Sequence, residues 1–542
     1  MTQAKKKTRA AGVMVLAASC FTAFAADPPV PANLPFTLSA ETTRITAPLK
    51  PDGSPDYIAA INEKLGKGVT PENNGFAFLL AAMGTRVEDG NIAARQHDPL
   101  LKLLGISDNA PDQPIFQSDT DFWKAQHLPD NLIQSLDNHL NDLRRTLWHA
   151  ADEAVIAAYL QSQKPFLDAL DQAAARPRWW LPAVSTDGNM VSILLPSLGR
   201  IRNMGVAVAV RANGRFADGD FDGFLADVLA LKRLSRHLES SFTLIEALVG
   251  YANEATADSA IAAAADSGKL TEPQCQAILK MLEGLPPRTP MTVELDTFER
   301  WTLLDVTVLT AMGKNDQVLS ILGDQDDAAT QFASVDRSRV DWDIALRQTN
   351  AAYDEQVALI MSPDIATLKI KAQAFTDKQT HIHDAMRSTN LKPRENESRD
   401  AYSRRVADAI GSALIPSVDR AHILEWRTQM SEGMARMLVA AAAVKAGTGK
   451  WPAHADELPS ARFPDLPRDI YSAQGRGTEP LKMTMTEYGP RAYSVGENMR
   501  DDGGVRGDGG RDDFYLGGEG PPATAATPAA PMRPAAPLDG LP

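Results

Sequence analysis

FDGFLADVLALKRLSRHL, residues 221–238, decides the fold class. Phe221, Phe224, Leu225, Val228, Leu231, Leu234 and Leu238 recur at three- and four-residue steps, with one shorter step. On a helix of 3.6 residues per turn these positions make one apolar stripe that can face a core; a strand would need a period of two. Asp227, Lys232, Arg233 and Arg236 fall elsewhere on the helix.

The stretches on either side carry helix punctuation. Thr243 and Glu246 have the spacing of a capping box, in which hydroxyl and carboxylate satisfy the first backbone donors reciprocally. The helix they start is rich in small residues through 260–265 and is expected to stop near Gly268. Thr271, Pro273 and Gln274 start another, which ends before Pro286 and Pro287. Upstream, Thr70 is placed to cap a helix with Pro71 at its first position, Phe76 to Met83 is its buried stretch, and Gly84 stops it. Such signals continue from about residue 55 to 447, without a fixed repeat. The expected architecture is mainly α: an irregular helical bundle or α-superhelix over residues 55–390, preceded by an extended segment at 26–54 and followed by a connecting segment at 391–420.

Of 542 residues, 44% are hydrophobic and 23% charged, with a net charge of −14, a composition that suits a folded domain. Nucleic-acid binding needs Lys and Arg in excess, so the acidic balance argues against it. Two cysteines cannot make a disulfide framework. Lys5, Lys6, Lys7 and Arg9, an apolar run to Phe24 and the small residues Ala23 and Ala25 make the three-part pattern of a secretory signal over 1–25. Cleavage after Ala25 removes four positive charges and takes the net charge from −14 to −18. The expected location is exported, in the periplasm or secreted; a lipoprotein reading would end the signal at Cys20. No later segment offers about 18 uninterrupted apolar residues, so no transmembrane segment is expected in the mature chain.

Beyond Gly447 the pattern changes. A long helix over Ala421–Lys445 leads into Trp451-Pro452, and Leu481–Thr486 then alternates with period two, as a strand does. Arg491–Val495 and Asp513–Leu516 are further strand candidates. Between them Glu497, Asn498, Asp501, Asp502, Asp508, Asp512 and Asp513 crowd among glycines. Clustered carboxylates repel unless something neutralises them, and calcium takes six to eight hard oxygens in flexible geometry. Arg500, Arg506 and Arg511 offer internal counter-ions as the alternative. Asp501 and Asp502 are the first expected ligands, then Asp513, with Asn498 and Asp508. Residues 517–542 have too few large apolar side chains for a core and are expected to be disordered.

Two resemblances rest on these residues. Over 55–310 the chain is similar to an uncharacterised group of exported bacterial proteins, through GVTPENNGFAFLLAAMG (68–84), RPRWWLPAV (176–184), LIEALVGYANEATA (244–257) and LDTFERWTLLDVTVL (295–309). This implies export and helical architecture, and no activity. Residues 421–516 resemble the globular part of type II secretion pseudopilins, through the long helix, KWPAHADELPSARFPDLPRDIYS (450–472) and RAYSVGENMRDDGGVRGDGGRDDFYL (491–516). That resemblance implies a small α+β module whose acidic loop binds calcium. Here the module follows a large helical domain instead of a pilin helix, and Ile470 stands where the family usually has proline, so a borrowed module is implied, not a pilus subunit.

No nucleophile elbow, phosphate loop, dinucleotide fingerprint or His-Glu-x-x-His occurs. Asp377, His381 and Asp384 share a helix face and suit a polar exposed surface. Cys275 suits a buried position, and Trp179 and Trp180 suit core packing. Asp296, Glu299, Arg300 and Asp305 suit an ion-pair network between helices. Two functions stay open: a helical binding or scaffolding protein of the cell envelope with a calcium-stabilised module, its partner an envelope protein or a small molecule, or an exported helical hydrolase or lyase acting through paired carboxylates.

Overall fold

Phe221–Glu239 forms one helix, started by Asp220, whose side chain accepts from the Gly223 N–H. Phe224, Val228, Leu231, Leu234 and Leu238 are buried along it. The computed structural model describes residues 33–85, 92–108, 116–314, 316–318, 334–387, 391–415, 418–459, 466–507 and 511–518. The 1–25 segment with Cys20, Asp508, and the tail beyond Gly518 fall outside that set.

In chain order the helices are α1 (Tyr57–Gly66), α2 (Gly75–Met83), α3 (His97–Leu104), α4 (Asp119–Ala125), α5 (Asp130–Leu143), α6 (Ala154–Ala174), α7 (Leu198–Ala217), α8 (Phe221–Glu239), α9 (Leu244–Asp266) and α10 (Glu272–Glu283). A short α11 (Thr292–Glu294) runs through a π turn at Leu295–Glu299 into α12 (Arg300–Met312). Then come α13 (Trp342–Ile360), α14 (Ile365–Arg387), α15 (Arg399–Leu414) and α16 (Asp419–Thr448). The protein is mainly α-helical, with a small antiparallel sheet at its C-terminal end.

Helices α7, α8, α9 and α16 pack on one another as the centre of the molecule. The Thr243–Glu246 capping box forms as its spacing predicts, and the next helix starts after Thr271, whose N–H and hydroxyl donate to Gln274 Oε1. The start of α2 differs from expectation. Thr70 does not cap it: Thr70 and Asn73 close a turn on each other, and Asn74 is the cap. The Gly75 N–H donates to the Arg178 carbonyl and the Arg178 N–H to the Asn73 carbonyl. This pairing holds Asn74 extended, so the helix cannot reach back to Pro71. Asn74 Oδ1 accepts from the N–H groups of both Phe76 (3.1 Å) and Trp180 (2.9 Å), which ties the helix start to the 176–184 stretch.

Helix α16 belongs to two structures at once. One side packs on α9 and α10, and the other carries the sheet. Met430, Met434, Met437 and Leu438 are buried along it. Strand β1 (Lys482–Thr486) pairs with β2 (Gly489–Ser494), and β2 with β5 (Phe514–Leu516), all antiparallel. The three expected strand segments are therefore these three strands, within one or two residues. A two-residue ladder of β3 (Arg506–Gly507) and β4 (Arg511–Asp512) closes the loop between β2 and β5. The residues before α1 lie against α13: Asn350 Nδ2 donates to the carbonyls of Glu41 and Thr42, and Arg44 pairs with Asp354 at 3.0 Å. Among the described residues, no helix is long and apolar enough to cross a membrane.

Candidate functional site

The acidic loop between β2 and β5 gathers three carboxylates. One oxygen each from Asp502, Asp512 and Asp513 lies within 4.8 Å of the others. Asp513 sits where the chain leaves β4 for β5, and this break in strand alternation lets neighbouring Asp512 and Asp513 reach the same point. Asp513 Oδ2 accepts from the N–H groups of Asp502 (3.1 Å) and Gly504 (2.7 Å). Its Oδ1 is buried without a hydrogen-bond partner, as is Oδ1 of Asp512. Burial lifts the Asp513 carboxyl above the usual range even though those two N–H groups oppose the shift. Gly496 makes the close approach: its φ is +68°, and a Cβ there would stand 2.3 Å from the Asp512 carbonyl oxygen.

Two of the expected ligands, Asp502 and Asp513, therefore meet, while Asp501 and Asn498 are placed otherwise. Asp501 turns away to Lys482 Nζ (2.7 Å) and the Tyr493 hydroxyl (3.0 Å). Burial works to raise its carboxyl, but Lys482, the Gly503 N–H and Tyr493 outweigh that and hold it below the usual range. Asn498 braces the loop through Nδ2 to Asp502 Oδ2 at 2.9 Å. Asp508 lies outside the described residues. Asp512 is the member that sequence spacing did not single out, because only the β3–β4 ladder turns it inward.

A second group of charges lies in the helical core. Lys232 is fully buried and donates to Glu254 (2.7 Å) and Asp258 (2.5 Å) on α9. Arg236 bridges Glu254 (2.9 Å) and Glu432 of α16 (2.8 Å), and Arg288 reaches Glu239 at 2.6 Å. On the other flank Arg211 joins Asp168, Asp171 and Asp227. Burial opposes the charge on Lys232, yet Asp258 and Glu254 more than offset it and raise its pKa. Beside this group Glu294 is 1% exposed, and among the described residues no other group hydrogen-bonds its carboxylate oxygens. Burial, joined by the nearby carboxyls of Glu425, Glu239 and Glu246, pushes it to about 8.

No family model matches the chain, and no similar curated protein or solved structure is found.

The remaining candidates resolve into structure. Asp377, His381 and Asp384 are exposed on α14. Cys275 is buried on α10. Trp179 stacks on His237 and meets Phe76 edge-on, so it serves the core. Arg300 binds Asp296 (2.6 Å), Asp354 (2.8 Å) and the Asn350 carbonyl (2.7 Å), while Asp305 accepts from Lys50 and the Met190 N–H. Burial raises the Glu299 carboxyl, with the Leu244 N–H opposing.

Three cavities border these elements. An open groove of about 720 Å³ runs between residues 50–63, Pro99 and Leu103, the 183–189 loop and Lys314. Its two lysines are already engaged, Lys50 with Asp305 and Lys314 with Asp52. A polar cavity of about 330 Å³ lies between the α4–α5 region, α6, α7 and α9. A third, of about 300 Å³, shares Arg144, Ala252 and Thr256 with it and continues to Arg506 and Tyr515 beside the sheet.

Proposed function

We propose that this is an exported, helical binding or scaffolding protein of the cell envelope whose C-terminal module is braced by calcium. One observation carries the calcium part: three carboxylates converge, and Asp513 and Asp512 each bury an oxygen that no described residue satisfies. Three anionic groups at such distances need a cation or a proton, and the glycine-rich loop can complete a shell with backbone carbonyls and water. The pseudopilin resemblance implies the same ion. Export rests on the basic, apolar and small-residue pattern of 1–25.

Calorimetry of the full chain tests the reading. A site for calcium raises the melting temperature of the α16–sheet unit in calcium over chelator, by about 3 kcal/mol of stabilisation at a hundredfold excess over Kd. Magnesium, which demands tighter octahedral geometry, should give less. Identical melting in calcium and in chelator sinks the proposal.

A further inference from the structure

The cavity between α4, α5, α6, α7 and α9 is lined by two arginines that no described carboxylate pairs with. Arg144, at the C-terminal end of α5, and Arg202, on α7, both line it. Arg145 and Arg506 line its continuation. Among the described residues, none of these four arginines makes a salt bridge, although the chain carries a net charge of −14. Arg145, Arg202 and Arg506 are exposed, whereas the interior arginines 211, 236, 288 and 300 are each clamped by carboxylates. Arg144 is half-buried, and its Nε is buried with no partner. Burial and then the charges of Arg145 and Arg202 work against its own charge, and outweigh the nearby carboxylate of Asp142. Like charges held together at a half-buried position cost stability unless an anion joins them.

A second buried group points the same way. Asn253 is 2% exposed on α9, lines the cavity and has an unpartnered Nδ2. Gly205 of α7 makes room for it: a Cβ there would stand 2.2 Å from Asn253 Oδ1. The amide is held with Oδ1 against α7 and Nδ2 available as a donor. At the cavity's acidic end the demand reverses. Asp137 accepts from Thr120 with Oδ2, but its buried Oδ1 has no donor. Asp119, lifted above the usual carboxylate range by burial with Asp137 adding to it, stands beside it in the wall. The cavity therefore asks for an anionic oxygen acceptor at Arg144, Arg202 and Asn253, and for an O–H donor at Asp137. About 330 Å³ holds one monosaccharide-sized molecule.

We propose that this cavity binds a small hydroxylated oxyanion, an acidic sugar or sugar phosphate. Its carboxylate or phosphate would sit on Arg144 and Arg202, and its hydroxyls on Asp137. This goes beyond the calcium reading and does not depend on it. Titration calorimetry on the full chain at low ionic strength tests it, with glucuronate, glucose 6-phosphate, inorganic phosphate and glucose as probes. Glucuronate and glucose 6-phosphate distinguish a carboxylate from a phosphate ligand. At least one of them should bind with Kd below about 1 mM, more tightly than phosphate and with glucose silent. Arg144→Gln should weaken it about tenfold or more, as the loss of a charge-assisted group does. Asp137→Asn should weaken the sugar and spare inorganic phosphate. Arg144→Gln should melt no lower than the parent, because it removes repulsion, whereas a structural arginine would lower the melting temperature. Arg202→Gln, at an exposed position, is the second variant should the first misfold. Silence of both acidic sugars, equal binding of glucose, equal binding of inorganic phosphate, or binding untouched by both arginine variants overturns the proposal.

Discussion

Replacing Glu294 by Gln should stabilise the protein at neutral pH and do little in mild acid. The side chain is 1% exposed, and among the described residues no other group hydrogen-bonds its oxygens. Burial beside Glu425, Glu239 and Glu246 lifts its pKa from 4.5 to about 8. Because the folded value is the higher one, the native state holds a proton that the unfolded chain releases above pH 4.5. The stability tied to that proton is complete below the unfolded value and is lost as pH rises through the folded one. The slope is about 1.4 kcal/mol per pH unit between the two values, so the loss is about 3 kcal/mol by pH 7 and about 5 kcal/mol at the plateau. Glutamine has nearly the shape of the protonated acid and cannot ionise. Urea denaturation followed by helical circular dichroism, with parent and variant compared near pH 5 and near pH 8, reads the difference directly. The expected gain is about 3–5 kcal/mol near pH 8, falling below about 1 kcal/mol near pH 5. A gain of equal size at both pH values, or a loss near pH 8, would refute the assignment of a buried neutral carboxyl.

Other outcomes follow from the same interior. Lys232→Met leaves Asp258 without its cation and should cost about 3–5 kcal/mol at neutral pH, measured by the same denaturation; adding Asp258→Leu should recover much of it, since an apolar pair replaces a buried ionic one. Asn74→Ala removes the cap of α2 and the acceptor for Trp180, and should cost about 1–2 kcal/mol with a matching drop in melting temperature. Asp513→Asn should abolish any calcium-dependent rise in melting temperature while leaving the transition of the helical body in place.

Local chemistry set much of the fold. The stripe at 221–238 defines α8 because a 3.6-residue period has one geometric meaning. The capping box at Thr243 forms because its partner lies three residues away on the same turn. Alternation at 481–486 defines β1 for the equivalent reason at period two. Thr70 misled because a cap is chosen by what the backbone does next: pairing with Arg178, a hundred residues on, holds the chain extended and hands the role to Asn74. For the acidic loop, the sequence supplied the crowd of carboxylates. Only the β3–β4 ladder decided that Asp502, Asp512 and Asp513 meet while Asp501 is drawn off by Lys482.

By itself, then, the sequence determined the helical body, the C-terminal strands and the acidic character of one loop, since each depends on residues within a turn or two. Tertiary structure decided which charges are buried. Asp227, Lys232 and Arg236 lie off the apolar stripe of α8, yet they are buried because α8 has neighbours on more than one side. Tertiary structure also left Arg144 and Arg202 unpaired at a cavity while clamping arginines 211, 236, 288 and 300 in carboxylates. Arginines 211, 236 and 288 take partners from distant helices, at separations that no periodicity records, so these clusters became visible only when the helices packed.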